Sequence, residues 1–400
     1  MLTHHIEVLV VGLGPVGAVG ALFLAQNGIE VVALEVNSRS ATDLRASTFH
    51  APTLEILHHM GVSDTLFGQG LRAPVYQFRD RQSGEVFAFD LGEIADRTAF
   101  PYRIQCEQHR VTEEVVAKLA LLPNATVRYR ARLLYLEQDA SGVTAYVDTG
   151  AAVECYKARY LMAADGANSV ARKVLDLGFP GFTYDEKFLC LSTEYPIEQA
   201  FEDLSYVNYL SDPDEWMVLL RVPGLWRILV PASEQRQDEE LLSDANKDAI
   251  FERMLGQSVP VTTRHRTIYR VHQRVCERFH VGKVGLVGDA VHLNSPMGGF
   301  GMNSGIHDAI NLGGKLVDIL RNGADDRLLG LYERQRRTVT LSFIQTQTIE
   351  NTRMMREGWG AQRHERRLAM SRLMNDAAAR RAFLLKQSMF TSLEDAAAIV

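Results

Sequence analysis

Cysteine is scarce in this sequence, and its spacing excludes several kinds of site. The four cysteines, Cys106, Cys155, Cys190 and Cys276, are far apart, and no two of them form a CxxC pair. This spacing fits neither a zinc site nor a disulfide framework, and it favours a reduced compartment. We therefore expect a cytoplasmic protein, and no other set of side chains in the sequence predicts a metal site.

An excess of positive charge is also lacking. The 43 lysines and arginines are outnumbered by 49 aspartates and glutamates, which gives a net charge of −6. A chain of this charge has no general attraction to nucleic acid, so nucleic acid is not expected as a partner. The segment after Arg336 is rich in arginine, but acidic residues are interleaved. This pattern favours a solvated face or a subunit contact, such as that of a homodimer.

Long hydrophobic runs are missing, apart from one near the N-terminus. Residues Val8–Ala25 contain no charge over 18 residues, which is close to the length of a membrane span. Four glycines and one proline interrupt the run, and the residues before it lack the lysines and arginines of a signal peptide. We interpret the run as a strand, a turn and a helix, and we expect no membrane association.

The turn inside this run has the spacing of a dinucleotide-binding loop. A buried parallel strand is predicted over Ile6–Val11, and the GxGxxG motif Gly12, Gly14 and Gly17 follows it. The first glycine permits a tight turn, and the second lets the backbone approach a pyrophosphate. The third lets the helix pack against the strand. This helix is predicted to end near Asn27.

An acidic residue completes this nucleotide-binding pattern. A second apolar strand, Ile29–Leu34, ends on Glu35, which lies 23 residues after Gly12. A carboxylate at this place can bind both hydroxyls of an adenosine ribose, and it would repel the 2′-phosphate of NADP. The pattern alone leaves FAD and NAD as alternatives.

Two later segments favour FAD over NAD. The first, Asp165–Arg172 (DGANSVAR), follows an apolar strand that ends near Ala164. In the second (GLVGDAVHLNSPMGGFGMNSG), the strand Val284–Val287 leads into Gly288 and Asp289. A carboxylate at the carboxyl end of a strand lies where open α/β sheets bind ligands. It can bind the hydroxyls of a ribityl chain, which FAD has and NAD lacks.

A helix is predicted directly behind this second segment. Gly298, Gly299 and Gly301 free the backbone to approach a ring, and Asn303–Leu320 has the spacing of a helix. The N-terminus of a helix carries a partial positive charge and free N–H groups. Directed at the pyrimidine edge of a flavin, it would stabilise the anionic reduced form.

The order of the three motifs resembles that of the class A flavoprotein aromatic monooxygenases, the family of para-hydroxybenzoate hydroxylase and phenol hydroxylase. The resemblance spans Ile6 to about Leu316 and rests on the GxGxxG loop, the DG motif that begins at Asp165 and the GD motif that ends at Asp289. It implies an α/β fold with a Rossmann-like FAD-binding domain of the GR2 type. An inserted antiparallel β-sheet domain would bind the substrate, and helices would follow at the C-terminus.

The pattern of apolar, polar and aromatic residues along the sequence predicts where these parts lie. Alternating, aromatic segments that are typical of antiparallel strands dominate residues 179–275. We therefore predict a FAD-binding domain in two parts, residues 1–178 and 276–335. The substrate-binding sheet domain, residues 179–275, is inserted between them, and residues 336–400 form a C-terminal helical region.

The resemblance also assigns individual residues. Arg45 matches an arginine that contacts the flavin side of FAD, and Gln108 matches a glutamine that meets the FAD chain at the start of a helix. Pro296 matches a proline beside the flavin, and it is predicted to be catalytic together with His292. Phe300 stands where a polar residue such as glutamine is frequent. The predicted cofactor-binding residues are Gly12, Gly14, Pro15, Val16, Gly17, Glu35, Arg45, Gln108, Asp165, Gly166, Arg172, Gly288, Asp289, Pro296, Gly299, Gly301, Met302 and Asn303.

The resemblance implies a reaction as well. NADH or NADPH would reduce the bound FAD and leave, and O2 would then add at flavin C4a to give a hydroperoxide. Its distal oxygen would pass to a small phenolic or N-heteroaromatic substrate. Related epoxidases, Baeyer–Villiger oxygenases, reductases and halogenases share the FAD domain. The WxWxIP signature of the halogenases is absent, because Trp216 and Trp226 are ten residues apart.

Two alternatives come from other classes of protein. An NAD-dependent dehydrogenase would need neither the DG motif nor the GD motif, so the sequence disfavours it. A non-enzymatic flavin sensor would bind FAD but show no substrate-stimulated oxidation of NADH or NADPH.

Overall fold

Three β-sheets and thirteen α-helices make up the described parts of the chain, which in the computed structural model are residues 2–39, 46–212, 215–356 and 363–400. The α-helices are α1 (Pro15–Gln26), α2 (Ala51–His59), α3 (Asp64–Gln69), α4 (Gln108–Leu119), α5 (Val170–Val174), α6 (Asp238–Leu241), α7 (Asp244–Leu255), α8 (Phe300–Asn322), α9 (Arg327–Val339), α10 (Thr346–Arg356), α11 (Arg363–Asn375), α12 (Ala377–Gln387) and α13 (Phe390–Ala397). Shorter helical turns lie at Leu91–Ile94, Ile197–Ala200, Gly288–Ala290 and Thr340–Gln345. Within the described ranges, no helix combines the length and apolar character of a membrane span.

The first sheet contains the strand that precedes the GxGxxG loop. Its eight strands are β1 (Thr3–Val11), β2 (Val31–Glu35), β8 (Ala125–Tyr129), β9 (Arg132–Gln138), β10 (Val143–Asp148), β11 (Val153–Ala163), β17 (His280–Val281) and β18 (Val284–Leu286). The order β18-β11-β1-β2-β8 is parallel throughout. Val8, Leu9 and Val10 of β1 are fully buried, so this strand is covered on both faces, as parallel sheets require.

The second sheet is antiparallel except for one pair of strands. Its members are β5 (Val75–Asp80), β6 (Val86–Asp90), β12 (Gly181–Thr193), β13 (Val207–Ser211), β14 (Met217–Val222), β15 (Leu225–Ser233), β16 (Thr263–Val275) and β19 (His292–Leu293). The pair β13–β5 is parallel. Residues 179–275 therefore supply only β12 to β16, and the sheet is wider than that segment. The predicted fold class is confirmed, whereas the division into domains stays a prediction.

A third sheet consists of three short antiparallel strands. They are β3 (Thr48–Phe49), β4 (Leu71–Ala73) and β7 (Arg103–Gln105), in the order β3-β7-β4. Arg103 and Gln105 of β7 are both buried. Because they are two residues apart on a strand, their side chains share one face, and they bring two polar groups into the interior.

Helix α8 begins three residues earlier than the sequence indicates. The predicted start was Asn303, but the helix starts at Phe300 and runs to Asn322. Gly299 precedes it with φ +71°, a left-handed conformation that a residue other than glycine rarely adopts. The turn at this glycine sets the start of the helix, so Asn303 lies within the first turn instead of at its first position.

Two buried histidines lie close to α8. His307 on α8 is 2% exposed, and its Nε2 lies 3.1 Å from Oγ1 of Thr53. Burial lowers the pKa of His307 to about 3. Burial, followed by the charge of Arg103, also holds the pKa of His50 well below its usual value. Both imidazoles are therefore neutral in the folded protein at neutral and mildly acidic pH.

These histidines should make the protein sensitive to mild acid. An unfolded histidine is protonated below about pH 6.5, but the folded protein keeps His307 neutral down to about pH 3, so the unfolded state binds more protons in this window. As the pH is lowered through this window, the unfolding free energy should fall by about 1.4 kcal/mol per pH unit for each buried histidine. Urea unfolding between about pH 7.5 and 5 measures this slope. The slope measures how many more protons the unfolded state binds than the folded state. His307→Gln should lower this number by about one, and equal slopes in both proteins would contradict the prediction.

Candidate active site

Four neighbouring strands end at one edge of the first sheet, and the predicted motifs follow them. Val11 of β1 pairs with Leu34 of β2 and with Ala163 of β11, and Ala163 pairs with Leu286 of β18. The GxGxxG loop, Glu35, the DG motif and the GD motif come at or directly after these strand ends. The carboxyl ends of parallel strands line the ligand crevice of open α/β sheets, so the motifs build one site.

Two glycines of the GxGxxG loop are in close backbone contact, and the third faces open space. Gly12 has φ +95°, and a Cβ there would lie 2.4 Å from the carbonyl oxygen of Ala164. A Cβ on Gly17 would lie 1.9 Å from the carbonyl oxygen of Gly12. Gly14 has φ −65°, and its Cβ position has no atom within 4 Å. The backbone at Gly14 therefore faces open space at the N-terminus of α1, where a pyrophosphate can bind.

Glu35 is fixed beside this loop. Its Oε2 accepts a hydrogen bond from the backbone N–H of Leu13 at 3.0 Å, and its Oε1 accepts one from the backbone N–H of Asn37 at 2.9 Å. The residue is 6% exposed. These bonds orient the carboxylate at the end of β2. Its role in binding a ribose stays a prediction.

The DG motif forms a second open loop. Gly166 has φ +77°, and its Cβ position has no atom within 4 Å. Oδ2 of Asp165 accepts a hydrogen bond from the backbone N–H of Ala171, whereas its buried Oδ1 has no hydrogen-bond partner in the described part of the chain. That oxygen can accept a bond from a ligand hydroxyl.

Arg172 fastens the DG and GD loops to each other. Its Nη1 donates to the carbonyl of Ala290 at 2.8 Å, and its Nη2 donates to the carbonyl of Ala167 at 2.7 Å. The guanidinium lies over the ring of Phe179, 4.0 Å from its centroid. Arg172 thus positions both loops, and direct contact with the cofactor stays a prediction.

The start of α8 is fixed by Asn303. Its Nδ2 donates to the carbonyls of Thr48 and Gly299, and its Oδ1 accepts from the backbone N–H of His50. The side chain is fully buried and ties β3 to the first turn of α8. The free backbone N–H groups of this turn carry the positive end of the helix dipole.

The motifs surround a cavity of about 250 Å³. Its lining residues are Leu13, Gly14, Pro15, Val16, Ala46, Gln108, Thr112, Ala164, Gly166, Val287, Asp289 and Met302. Seven of the twelve were predicted from the sequence. The others were missed although they lie beside the motifs or, like Thr112, one helical turn after Gln108, and that proximity is the signal that could have found them. We call this space the cofactor cavity.

A second cavity of about 190 Å³ adjoins it, since Ala46 and Met302 line both. Pro296, Gly299 and Gly301 form one wall, and their contact with a flavin stays a prediction. The opposite wall comes from the second sheet. Its lining residues, none of them predicted, include Cys190, Tyr209, Val218, Leu220, Arg227, Leu229 and Tyr269. We call this space the substrate cavity.

His292 lies behind the GD turn. Its Nε2 is 2.7 Å from Oδ2 of Asp308, and Oδ1 of Asp308 accepts from Nε of Arg336 at 2.7 Å. All three side chains are at most 1% exposed. Burial raises the pKa of Asp308, but Arg336 and His292 together outweigh burial and hold it below its usual value. The described linings of the two cavities do not include His292, so its catalytic role stays a prediction. Arg45 lies outside the described residues.

Comparison with known proteins covers nearly the whole chain. The family profile for the FAD binding domain matches residues 5–347. A para-nitrophenol 4-monooxygenase from Pseudomonas sp. strain WBC-3 is 32% identical over 383 residues, which cover 94% of each chain. The chain belongs to the class A FAD-dependent aromatic monooxygenases.

Two further proteins are similar to this aromatic monooxygenase over most of its length. A 6-hydroxy-3-succinoylpyridine 3-monooxygenase from Pseudomonas putida is 29% identical over 352 residues, which cover 87% of this chain and 88% of that protein. The crystal structure of p-nitrophenol 4-monooxygenase from Pseudomonas putida DLL-E4 has a TM-score of 0.91, with 31% identity and coverage of 98% and 99% of the two chains. The family, the FAD cofactor and the oxidation of an aromatic compound are thereby confirmed.

The site of this monooxygenase fits FAD. The backbone at Gly14 and Gly166 is open toward the cofactor cavity, where a pyrophosphate needs close approach. The buried Oδ1 of Asp165 has no described partner and can accept a hydroxyl. The first turn of α8 lines both cavities through Met302, so its N–H groups lie near the place where the cofactor would meet the substrate.

Proposed function

We propose that this enzyme hydroxylates a small, one-ring phenol that binds as its phenolate, with NADH or NADPH and O2 as cosubstrates. The substrate cavity, at about 190 Å³, is smaller than the range of about 300–1,000 Å³ that is usual for larger ligands. Its size therefore suits one aromatic ring. The relatives named for p-nitrophenol and for a hydroxypyridine act on rings of this size.

The observation that carries this proposal is the buried cation in the substrate cavity. Arg227 on β15 is 1% exposed and lines the cavity together with Tyr209 and Tyr269. A guanidinium in a site of low dielectric lowers the pKa of a nearby phenol and favours its anion. A phenolate ring is electron-rich, and such a ring is the one that accepts an electrophilic oxygen.

The chain's own residues then bind, orient and exclude water. FAD, reduced by NADH or NADPH, supplies the oxygen-activating redox chemistry when it is bound. Gly14, Gly166 and Asp289 would hold its diphosphate and ribityl parts, and the N-terminus of α8 would stabilise negative charge on the reduced ring. The second sheet covers the substrate cavity and keeps water from the reacting atoms. A cytoplasmic location and a homodimer stay predictions.

Stimulated oxidation of NADH and NADPH tests the proposed function. Nitrophenols, hydroxypyridines and hydroxybenzoates should stimulate it, and product mass under ¹⁸O2 should show one labelled oxygen in the ring product. The label also separates hydroxylation from halogenation and reduction, neither of which transfers oxygen from O2 to the product. Stimulation by multi-ring compounds alone would contradict the assignment of a one-ring substrate.

Arg227→Met should lower kcat/KM for such a phenol by about 10- to 100-fold, the range expected for loss of a charge-assisted contact. A bound nitrophenol should change from its coloured anion to its neutral form, because the cation that favours the anion is gone. Absorbance of the enzyme–nitrophenol complex over pH measures this change. Arg221→Met is the matched control, since Arg221 follows a cavity residue on β14 and points to the other face of the sheet. A normal kcat/KM in Arg227→Met would contradict the role of this cation.

A further inference from the structure

We propose that a small chamber behind the substrate cavity binds an anion. The chamber has a volume of about 10 Å³ and is lined by residues of the second sheet, of β7 and of the C-terminal helices, among them Tyr76, Arg103, Tyr209 and Gln387. No acidic residue belongs to its described lining. Its volume holds a single group of about the size of a water molecule.

The cation in this chamber lacks a counter-charge. Arg103 is 2% exposed, and its Nε and Nη1 have no hydrogen-bond acceptor within the described ranges. The guanidinium lies 4.2 Å from the ring centroid of Tyr76, and it takes part in no ion pair with any described residue. A buried charge without a partner is strongly destabilising, so an anion at this place would compensate it.

Two further residues of this lining carry buried donors. Nε2 of Gln387 and Oη of Tyr76 are buried and have no hydrogen-bond partner in the described chain. Together with Arg103 they form a set of donors, contributed by α12, β5 and β7, that have no hydrogen-bond acceptor among the described residues. Such a set is complementary to a halide or to one oxygen of an anionic group. Met355 also lines the chamber, and its flexible thioether can adjust to the guest.

The chamber adjoins the substrate cavity. Tyr209 lines both spaces. Gln105, which shares a face of β7 with Arg103, accepts a hydrogen bond from Oγ1 of Thr48, and Thr48 lines the substrate cavity. The anion is therefore either a free halide or the acidic substituent of a bound aromatic compound. The second source rests on the proposed function, and the first does not.

Thermal unfolding of the FAD-loaded enzyme tests the free halide. Chloride replaces gluconate at constant ionic strength, so general screening stays the same. At about 100 times its Kd, chloride should raise the Tm of the wild type by about 3 °C. Arg103→Met and Gln387→Met should lose this rise, and Arg327→Met, whose side chain is 90% exposed, should keep it. In gluconate, Arg103→Met should be at least as stable as the wild type, since the uncompensated cation is gone.

Binding of two matched phenols tests the substituent. In chloride-free buffer, the Kd of 4-hydroxybenzoate and of 4-methylphenol is measured from the change in the flavin spectrum. If the substituent is the anion, Arg103→Met weakens 4-hydroxybenzoate by about 10-fold or more and leaves 4-methylphenol within about twofold. Arg103→Lys should restore part of the loss, because it keeps the charge.

The combined results decide the proposal. A chloride effect that depends on Arg103 supports the free halide, and a selective effect on 4-hydroxybenzoate supports the substituent. If neither depends on Arg103, the chamber holds only water and the proposal is wrong. If no phenol binds at all, the proposed function fails, but the chloride experiment still decides the anion site.

Discussion

Replacement of Gly14 by valine is expected to abolish FAD binding while the fold stays intact. The φ of −65° suits any residue, and the Cβ position has no atom within 4 Å, so the folded chain accepts the new side chain. That side chain would enter the cofactor cavity, which Gly14 lines together with Gly166 and Asp289. It would occupy the space that a pyrophosphate needs. We expect an FAD affinity at least about 100-fold weaker, measured by flavin absorbance and by reconstitution of the apoprotein.

Two other glycines give matched controls for Gly14→Val. Gly314 on α8 is equally open, but it lies outside the described linings of both cavities, so Gly314→Val should keep its FAD. Gly12→Val should lose both FAD and stability, because its side chain would clash with the carbonyl of Ala164. A yellow Gly14→Val enzyme would show that FAD does not occupy the space at Gly14, and an unfolded one would show that the folded chain does not accept a side chain there.

The second large effect is expected at Asp308. Asp308→Ala should lower the unfolding free energy by about 3–5 kcal/mol, because it leaves the buried Arg336 without its carboxylate. The same carboxylate accepts a hydrogen bond from the backbone N–H of Gly288 and holds His292. FAD affinity should therefore fall as well, since the GD turn loses its support. Urea unfolding of the apoprotein and FAD titration measure the two effects separately.

A double variant separates the lost ion pair from the lost packing. Arg336→Met combined with Asp308→Leu removes both charges and keeps similar volume, so stability should largely return. FAD affinity should stay low, because Gly288 still lacks its acceptor. A loss below about 1 kcal/mol in Asp308→Ala would mean that the buried ion pair does not support the fold.

Much of the lining of the cofactor cavity could be predicted from the sequence, because its constraints are local. Glycine is required at Gly12 and Gly17 by close backbone contacts within the loop and with the residue that follows the neighbouring strand β11. Such requirements produce a fixed spacing of glycines that can be read from the sequence. The same holds for Asp289, which lies in the turn three residues after the end of β18. The start of α8 was placed three residues too late, because the positive φ of Gly299 is a property of the folded turn.

The wall of the substrate cavity could not be predicted in this way. Tyr209 and Arg227 lie on strands in which apolar and polar residues alternate. This alternation alone does not say which face of a strand meets the cofactor domain. Their place is decided by pairings such as that of β12 with β15, which join residues far apart in the chain. Arg103 gave no signal either, since a single arginine on a short strand has no distinctive spacing.

The parallel pair of β13 with β5 has a consequence for exchanging parts between related enzymes. Val207 of β13 pairs with Tyr76 of β5, so the sheet that forms one wall of the substrate cavity includes strands that precede the DG motif in the chain. A graft of residues 179–275 alone would set β13 beside the recipient's own counterpart of β5, so the side chains of this strand pair would no longer be matched to each other. Chimaeras that aim to transplant substrate preference should therefore move residues 75–90 together with residues 179–275, because both segments belong to the sheet that carries the cavity wall.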